Sequence, residues 1–405
     1  STASVAMTGL SVGMTAYRGY QSFKIYKSKL ALAGNKPWTM PAAELHKLRH
    51  AHPHHLWLGQ GFRWLPQHAQ RAMEITSLDL KQVLPPKWIR KLLGAPVDLE
   101  EQRGEPWIHG LEPDESNILI PLKHTEGNTA IFGVTGAGKT RLYEVIVSQM
   151  ILAGDVVICI DPKNDKDFRQ ALINACKSAG RPEAFIEFHP GKPGRSVALD
   201  LVKNFSRVTE LPTRIADILN TDPGDQFTAF CWRVLESITN GLLYVDERPS
   251  LVKYRRYVEA GPEPLMERVL TRFFSQALPD WQLKMPEIEM ALAGSKGGKK
   301  ITSKLTQASV TLQAMAHLYH TQVDESKKTN TVSGLLAVCE HPREHHAKMI
   351  QGLLPILTKL TAEPLDELLS PDYSVVDGPE IFDSEKSIRG GHVFLMTTDA
   401  LSDGT

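Results

Sequence analysis

One octapeptide restricts this chain more than any other stretch. Gly133-Val134-Thr135-Gly136-Ala137-Gly138-Lys139-Thr140 fits G-x-x-x-x-G-K-[ST] at every fixed position. Thr129-Ala130-Ile131-Phe132 ahead of it is short, apolar and partly β-branched, which predicts a strand. Behind it, Leu142, Val145, Ile146 and Met150 recur on one helical face. Strand, glycine loop and helix in that order are the setting in which the pattern binds phosphate. Gly133, Gly136 and Gly138 let the backbone wrap closely around an anion, because no Cβ blocks the approach and positive φ is open to them. The wrapped N–H groups and the helix N-terminus supply partial positive charge. On this reading Gly133, Thr135, Gly136, Ala137, Gly138 and Arg141 surround the phosphates of ATP. Lys139 reaches the β- and γ-phosphates, and the Thr140 hydroxyl holds Mg²⁺ through the nucleotide. The plain alternative is a glycine-rich strand-to-helix turn that ends in Lys-Thr by coincidence.

The surrounding pattern predicts an α/β fold. Val156 to Ile160 is a continuous apolar run, expected to be a buried parallel strand. Phe185 to Phe188 is a further strand, so strand and helix alternate at the spacing of a parallel sheet. Asp161, followed by Pro162 and Lys163, sits at the carboxyl end of its strand, the ligand edge of such a sheet. It could sense phosphate or water, or only open a turn. From about Asn204 long helical patterns take over, with Val234, Leu235 and Ile238 on one face. Val393 to Thr397 then restores a β pattern. The expected organisation is a membrane-proximal segment at 1–35, an extension at 36–118, a nucleotide-binding part at 119–203, an all-α insertion at 204–375, and the nucleotide-binding part resumed at 376–405.

The 405 residues carry no net charge, but the charge is unevenly spread. Residues 1–92 hold 13 Lys or Arg against 3 Asp or Glu, and the remainder holds 33 against 43. A basic N-terminal part on an acidic body points to an anionic surface, either headgroups or nucleic acid, or to a plain solvated face. Ala3 to Tyr17 is apolar, with Arg18, Lys24, Lys27 and Lys29 following. It is shorter than the roughly 18 uncharged residues of a membrane span. It reads as the tail of a transmembrane helix with a cytoplasmic basic flank, or as a soluble amphipathic helix. The four cysteines are far apart, which argues against a disulfide framework or a zinc site. His46, His50, His52, His54 and His55 crowd together without a structured ligand spacing. Trp57-Leu58-Gly59-Gln60-Gly61-Phe62-Arg63-Trp64 sets two tryptophans around a Gly-Gln-Gly turn, as a packing unit or a nucleic-acid stacking platform. Gly294 to Lys300 is a cationic glycine loop whose Lys296, Lys299 and Lys300 are candidate DNA contacts or simply solvated.

An ATPase of this kind needs an acid at the end of a second apolar strand. Leu242-Leu243-Tyr244-Val245 followed by Asp246-Glu247 looks like one, but it continues a helical run. It is expected to be a decoy, with the true acid beyond Thr405 and hydrolysis by this chain correspondingly poor.

These residues resemble a family. WLGQGFRW, Trp107 to Glu115, the glycine loop, Ile160 to Asp167, Phe188 to Asp200, Gly241 to Gly261 and Phe394 to Thr405 are together similar to the conjugative type IV coupling proteins, in particular the TraD branch of integrative conjugative elements. The resemblance implies a RecA-like P-loop motor domain with an inserted all-α domain, related to the FtsK and HerA motors. It implies a hexamer at the cytoplasmic face of the inner membrane that uses ATP and Mg²⁺ to pump single-stranded DNA. Relaxase or relaxosome proteins and a type IV secretion channel would be its partners. Asn164 departs from the glycine usual in the family after Asp-Pro-Lys. Two other readings remain open: a secretion ATPase that moves protein, and a docking module that holds nucleotide without hydrolysing it.

Overall fold

Pairing of short apolar runs makes two sheets. His55–Gly61 (β1) pairs antiparallel with Ser116–Pro121 (β2), with an irregularity between Trp57 and Gly59. Val157–Asp161 (β3), Phe185–Phe188 (β4) and Val393–Thr397 (β5) form a small parallel sheet with β5 in the middle. The remainder is mainly helical, so the protein is mixed α/β. The structure is a computed structural model; it describes residues 2–32, 40–77, 111–112, 114–219, 225–293, 303–305, 307–375 and 378–398, with 88, 91 and 108 as isolated positions. The described residues divide into two units, one within 1–159, 164–185 and 385–395, the other within 160–163, 186–384 and 396–405.

In the first unit, helices Thr2–Leu32 (α1), Ala42–Ala51 (α2) and Pro66–Ser77 (α3) accompany the β1–β2 ribbon. Lys139–Ala153 (α4) and Lys166–Ser178 (α5) cover one face of the sheet strands. Asp165 starts α5 by accepting the backbone N–H groups of Asp167 and Phe168 at 3.0 and 3.1 Å. Val147 and Ile151 of α4, Val157 and Cys159 of β3, Phe168, Leu172 and Cys176 of α5, and Val393 and Leu395 of β5 make one buried cluster. Arg181 ties it together, donating to the carbonyls of Ile151 and Gly391 at 2.9 and 3.0 Å.

Two strand expectations change. Thr129–Phe132 is not a strand: residues 128–134 have no ladder partner among the described residues, and Phe132 is 92% exposed. An apolar, β-branched run holds as a strand only where a neighbour takes up its backbone groups. Val156–Ile160 does form a strand, but not one buried on both faces. Val157 and Cys159 face the helices, while Ile158 and Ile160 are 63% and 68% exposed, since α4 and α5 cover one side only.

Along α1 the side chains of Val5, Leu10, Val12, Met14 and Tyr17 are all more than half exposed, and Lys24 pairs with Asp114. Among the described residues no helix is long and apolar enough to cross a membrane. All four cysteines are free.

The second unit holds helices Glu210–Ala216 (α6), Gln226–Tyr244 (α7), Leu251–Ala260 (α8), Glu263–Ala277 (α9), Trp281–Leu292 (α10), Val310–Gln322 (α11) and Asn330–Cys339 (α12), with shorter ones to Leu369. Asp225, Ser250, Ser309 and Thr329 each accept a backbone N–H three residues on, which marks the starts of α7, α8, α11 and α12. Val234, Leu235 and Ile238 of α7 are fully buried, as their spacing predicts. Asp200 pins this unit's loops: its carboxylate accepts from Val202 N, Arg248 Nη2 and Tyr373 Oη at 3.0, 3.0 and 2.8 Å. The Arg248 guanidinium lies 3.8 Å over the Tyr373 ring.

The Asp246-Glu247 pair follows α7 directly, with Asp246 at φ +55°. Asp246 is ion-paired with Arg272, and Glu247 with Arg268 and Lys253. Both acids bind arginines of α9, and the run before them is helix, as its period predicts.

Ile151 lies at the centre of the first unit's cluster, so Ile151→Ala is expected to cost about 2–5 kcal/mol, read by denaturant unfolding. The hydrogen bond from Arg268 holds the Glu247 carboxyl below its usual pKa, with Lys253 adding to the effect. A depressed carboxylate pKa stabilises the fold above the unfolded pKa and loses that contribution as pH falls through the folded one. The stability gap between the parent and Glu247→Gln should therefore be full at neutral pH and close on acidification. A gap that stays constant down to acid pH would contradict this.

Candidate functional site

Residues 133 to 140 turn the chain into α4. Ala137 N donates to Val134 O at 3.1 Å, closing a tight turn. Gly136 and Gly138 have φ of +83° and +87°, a region where a side chain is strained. Gly138 is the N-cap of α4 and no side chain caps that end. The first-turn N–H groups are therefore left for an external acceptor. Lys139 folds back over the loop, its Nζ donating to Gly133 O at 2.6 Å and Val134 O at 2.9 Å. Thr135, Gly136, Ala137 and Thr140 are exposed beside it. Backbone donors, one ammonium and one hydroxyl thus converge on the same short turn. The donor set fits a polyphosphate, and the exposed Thr140 hydroxyl fits a hard cation carried with it.

Arg141 is directed elsewhere. Its guanidinium donates to both oxygens of Glu144 at 3.0 Å and to Asp167 Oδ2 at 2.9 Å, which clamps the start of α4 to α5. These carboxylates hold its pKa above the ordinary value. Glu144 is legible in the sequence as an i,i+3 partner; Asp167, twenty-six positions on, is not. Tyr143 lies 5.4 Å from the Phe168 ring, and burial pushes its phenol up to about 12, so it stays neutral.

Asp161 and Lys163 belong to the other unit. Asp161 Oδ1 accepts from Lys163 N at 2.9 Å, and its carbonyl accepts from Thr398 N at 3.1 Å. Of the roles open to Asp161, opening the turn after β3 is the one with visible bonds. Asn164 has φ +55°, which explains why an asparagine is acceptable where glycine is expected. Lys296, Lys299 and Lys300 lie outside the described residues.

His46 and His50 meet at 3.2 Å across one turn of α2, yet among the described residues no group of three or more His, Cys, Asp or Glu could hold a metal. A feature that sequence reasoning missed is Gln149. Its amide pairs both ways with the backbone of Trp57, accepting from Trp57 N and donating to Trp57 O at 2.9 Å each. This docks β1 on α4, the helix that the glycine loop begins.

No protein-family model matches the chain, and no curated protein is significantly similar to it.

A Cβ on Gly138 would meet nothing within 4 Å, so Gly138→Ala tests backbone strain alone. It should cost about 1–2 kcal/mol in denaturant unfolding, the penalty for a left-handed alanine. An unchanged midpoint would mean the loop does not hold this conformation.

Proposed function

We propose that this chain is the nucleotide-binding part of a P-loop, RecA-like ATPase that moves DNA, a coupling protein of conjugation. The observation that carries the nucleotide reading is the turn at 133–140: two left-handed glycines, an uncapped helix start, and Lys139 Nζ held over the same carbonyls. In this reading the loop N–H groups and Lys139 bind the triphosphate of ATP. Bound Mg²⁺ would neutralise charge on its β- and γ-oxygens, with Thr140 as the protein ligand. Arg141 acts by clamping α4 to α5 and so fixing where the loop stands.

The DNA and membrane parts rest on other features. The excess of Lys and Arg in residues 1–92 suits a polyanion. The exposed apolar side chains of α1, followed by lysines, suit attachment at the cytoplasmic face of an inner membrane. A hexamer that joins relaxase-bound single-stranded DNA to a type IV secretion channel completes the proposal, on the strength of the resemblance in the motif segments. The inserted helical domain is the natural seat for relaxosome proteins.

Lys139→Ala tests the site. Hydrogen bonds to charged groups contribute about 1.5–3 kcal/mol each, so calorimetric affinity for Mg·ATP should fall at least tenfold with the fold retained. Equal affinity in the variant would remove the assignment.

A further inference from the structure

The two tryptophans of the 57–64 motif have opposite environments. Trp57 is 2% exposed, its Nε1 donates to Asn117 Oδ1 at 3.0 Å, and Gln149 holds its backbone. It is a packing residue. Trp64, seven positions on, is 53% exposed. It nonetheless has a fixed setting. Its ring is stacked beside Phe62, with centroids 6.1 Å apart and planes 21° from parallel.

Beneath both rings lies His68, 4.8 Å from Phe62 and 6.0 Å from Trp64, and itself buried. The Leu65 N–H donates to His68 Nδ1 at 2.9 Å, so the neutral ring carries its proton on Nε2. That proton goes to Glu112 Oε2, 3.0 Å away. Arg71, one turn further along α3, donates to Leu111 O at 2.8 Å. The support under the rings is therefore hydrogen-bonded on both sides and tied to the 111–112 segment. The rings are preorganised by polar bonds around His68, and Trp64 remains more than half exposed.

The chemistry of the open side is specific. Arg63 stands exposed between Phe62 and Trp64, and no Asp or Glu occurs from His55 to Met73. Flat aromatic faces next to a guanidinium, with no acid close in sequence and Glu112 engaged by His68, match an unstacked nucleobase and its backbone. A duplex keeps its base faces stacked and exposes only base edges and backbone. We infer that Phe62, Arg63 and Trp64 form a base-stacking platform for single-stranded nucleic acid, with Trp64 as the principal stacking surface. The inference rests on the nucleic-acid reading of the previous subsection and gives it a location.

The test is fluorescence anisotropy of a labelled oligothymidylate with the whole chain, alongside Trp64→Ala, Trp64→Phe and Trp64→Leu. Circular dichroism of each variant monitors folding. Trp64→Ala should weaken binding about 5- to 150-fold, the loss of one base–aromatic stack, while Trp64→Phe keeps most of the affinity. Should Trp64→Ala disturb the fold, Trp64→Leu retains an apolar contact with Phe62 and carries the same expectation of weakened binding. If the parent binds the oligonucleotide and all three variants match it, the platform is overturned and the DNA reading stands. If the parent does not bind at any salt concentration, the DNA reading fails and the platform with it. If Trp64→Ala keeps its oligonucleotide affinity but loses binding to phosphatidylserine-containing vesicles, the ring faces a membrane and the inference is wrong.

Discussion

The start of α4 depends on a backbone conformation that most residues cannot hold. Gly136 and Gly138 both sit in the left-handed region, and the chain passes from there straight into helix with no capping side chain. Polar N–H groups at a helix start want an acceptor, and this turn leaves them facing outward next to an ammonium. Everything proposed about nucleotide follows from that arrangement. The rest of the first unit holds it in place. Val147 and Ile151 bury the far side of α4 against β3, α5 and β5, and Arg141 clamps its first turn to Asp167. Gln149 docks the β1–β2 ribbon on the same helix. A shift of α4 would therefore be felt at Trp57; Phe62 and Trp64 lie just past the end of the same strand.

The candidate site was legible where its geometry depends on local residues. The glycine loop, its helix, and the strands at 157–161, 185–188 and 393–397 announce themselves by residue type and spacing. The run before Asp246-Glu247 was also readable as helix and not strand from its period. What the sequence hid depends on long-range geometry. Thr129–Phe132 has the composition of a strand, but composition does not supply a ladder partner. The apolar run at 156–160 looks doubly buried, yet only the alternation seen in three dimensions separates Val157 and Cys159 from Ile158 and Ile160. The bond from Arg141 to Asp167 joins residues twenty-six positions apart, which no local pattern announces. The division of labour between Trp57 and Trp64 likewise needs Asn117, Gln149 and Glu112, all distant in sequence.

Charge is handled differently in the helical unit and around the 57–64 motif. In the helical unit, Arg248, Arg268 and Arg272 are engaged with Asp200, Glu247 and Asp246. Those charges act as internal ties and add little to an external field. Around the 57–64 motif the pattern differs: Arg63 has no acid close in sequence, and Glu112 is bonded to His68.

The most direct measurement is amide hydrogen exchange across the peptide covering residues 132–142, with and without Mg·ATP. If the loop N–H groups grip the triphosphate, exchange in that peptide slows on adding nucleotide, and more there than in the 226–244 helix. Nucleotide that binds while the 132–142 amides exchange at an unchanged rate would contradict the account at its root.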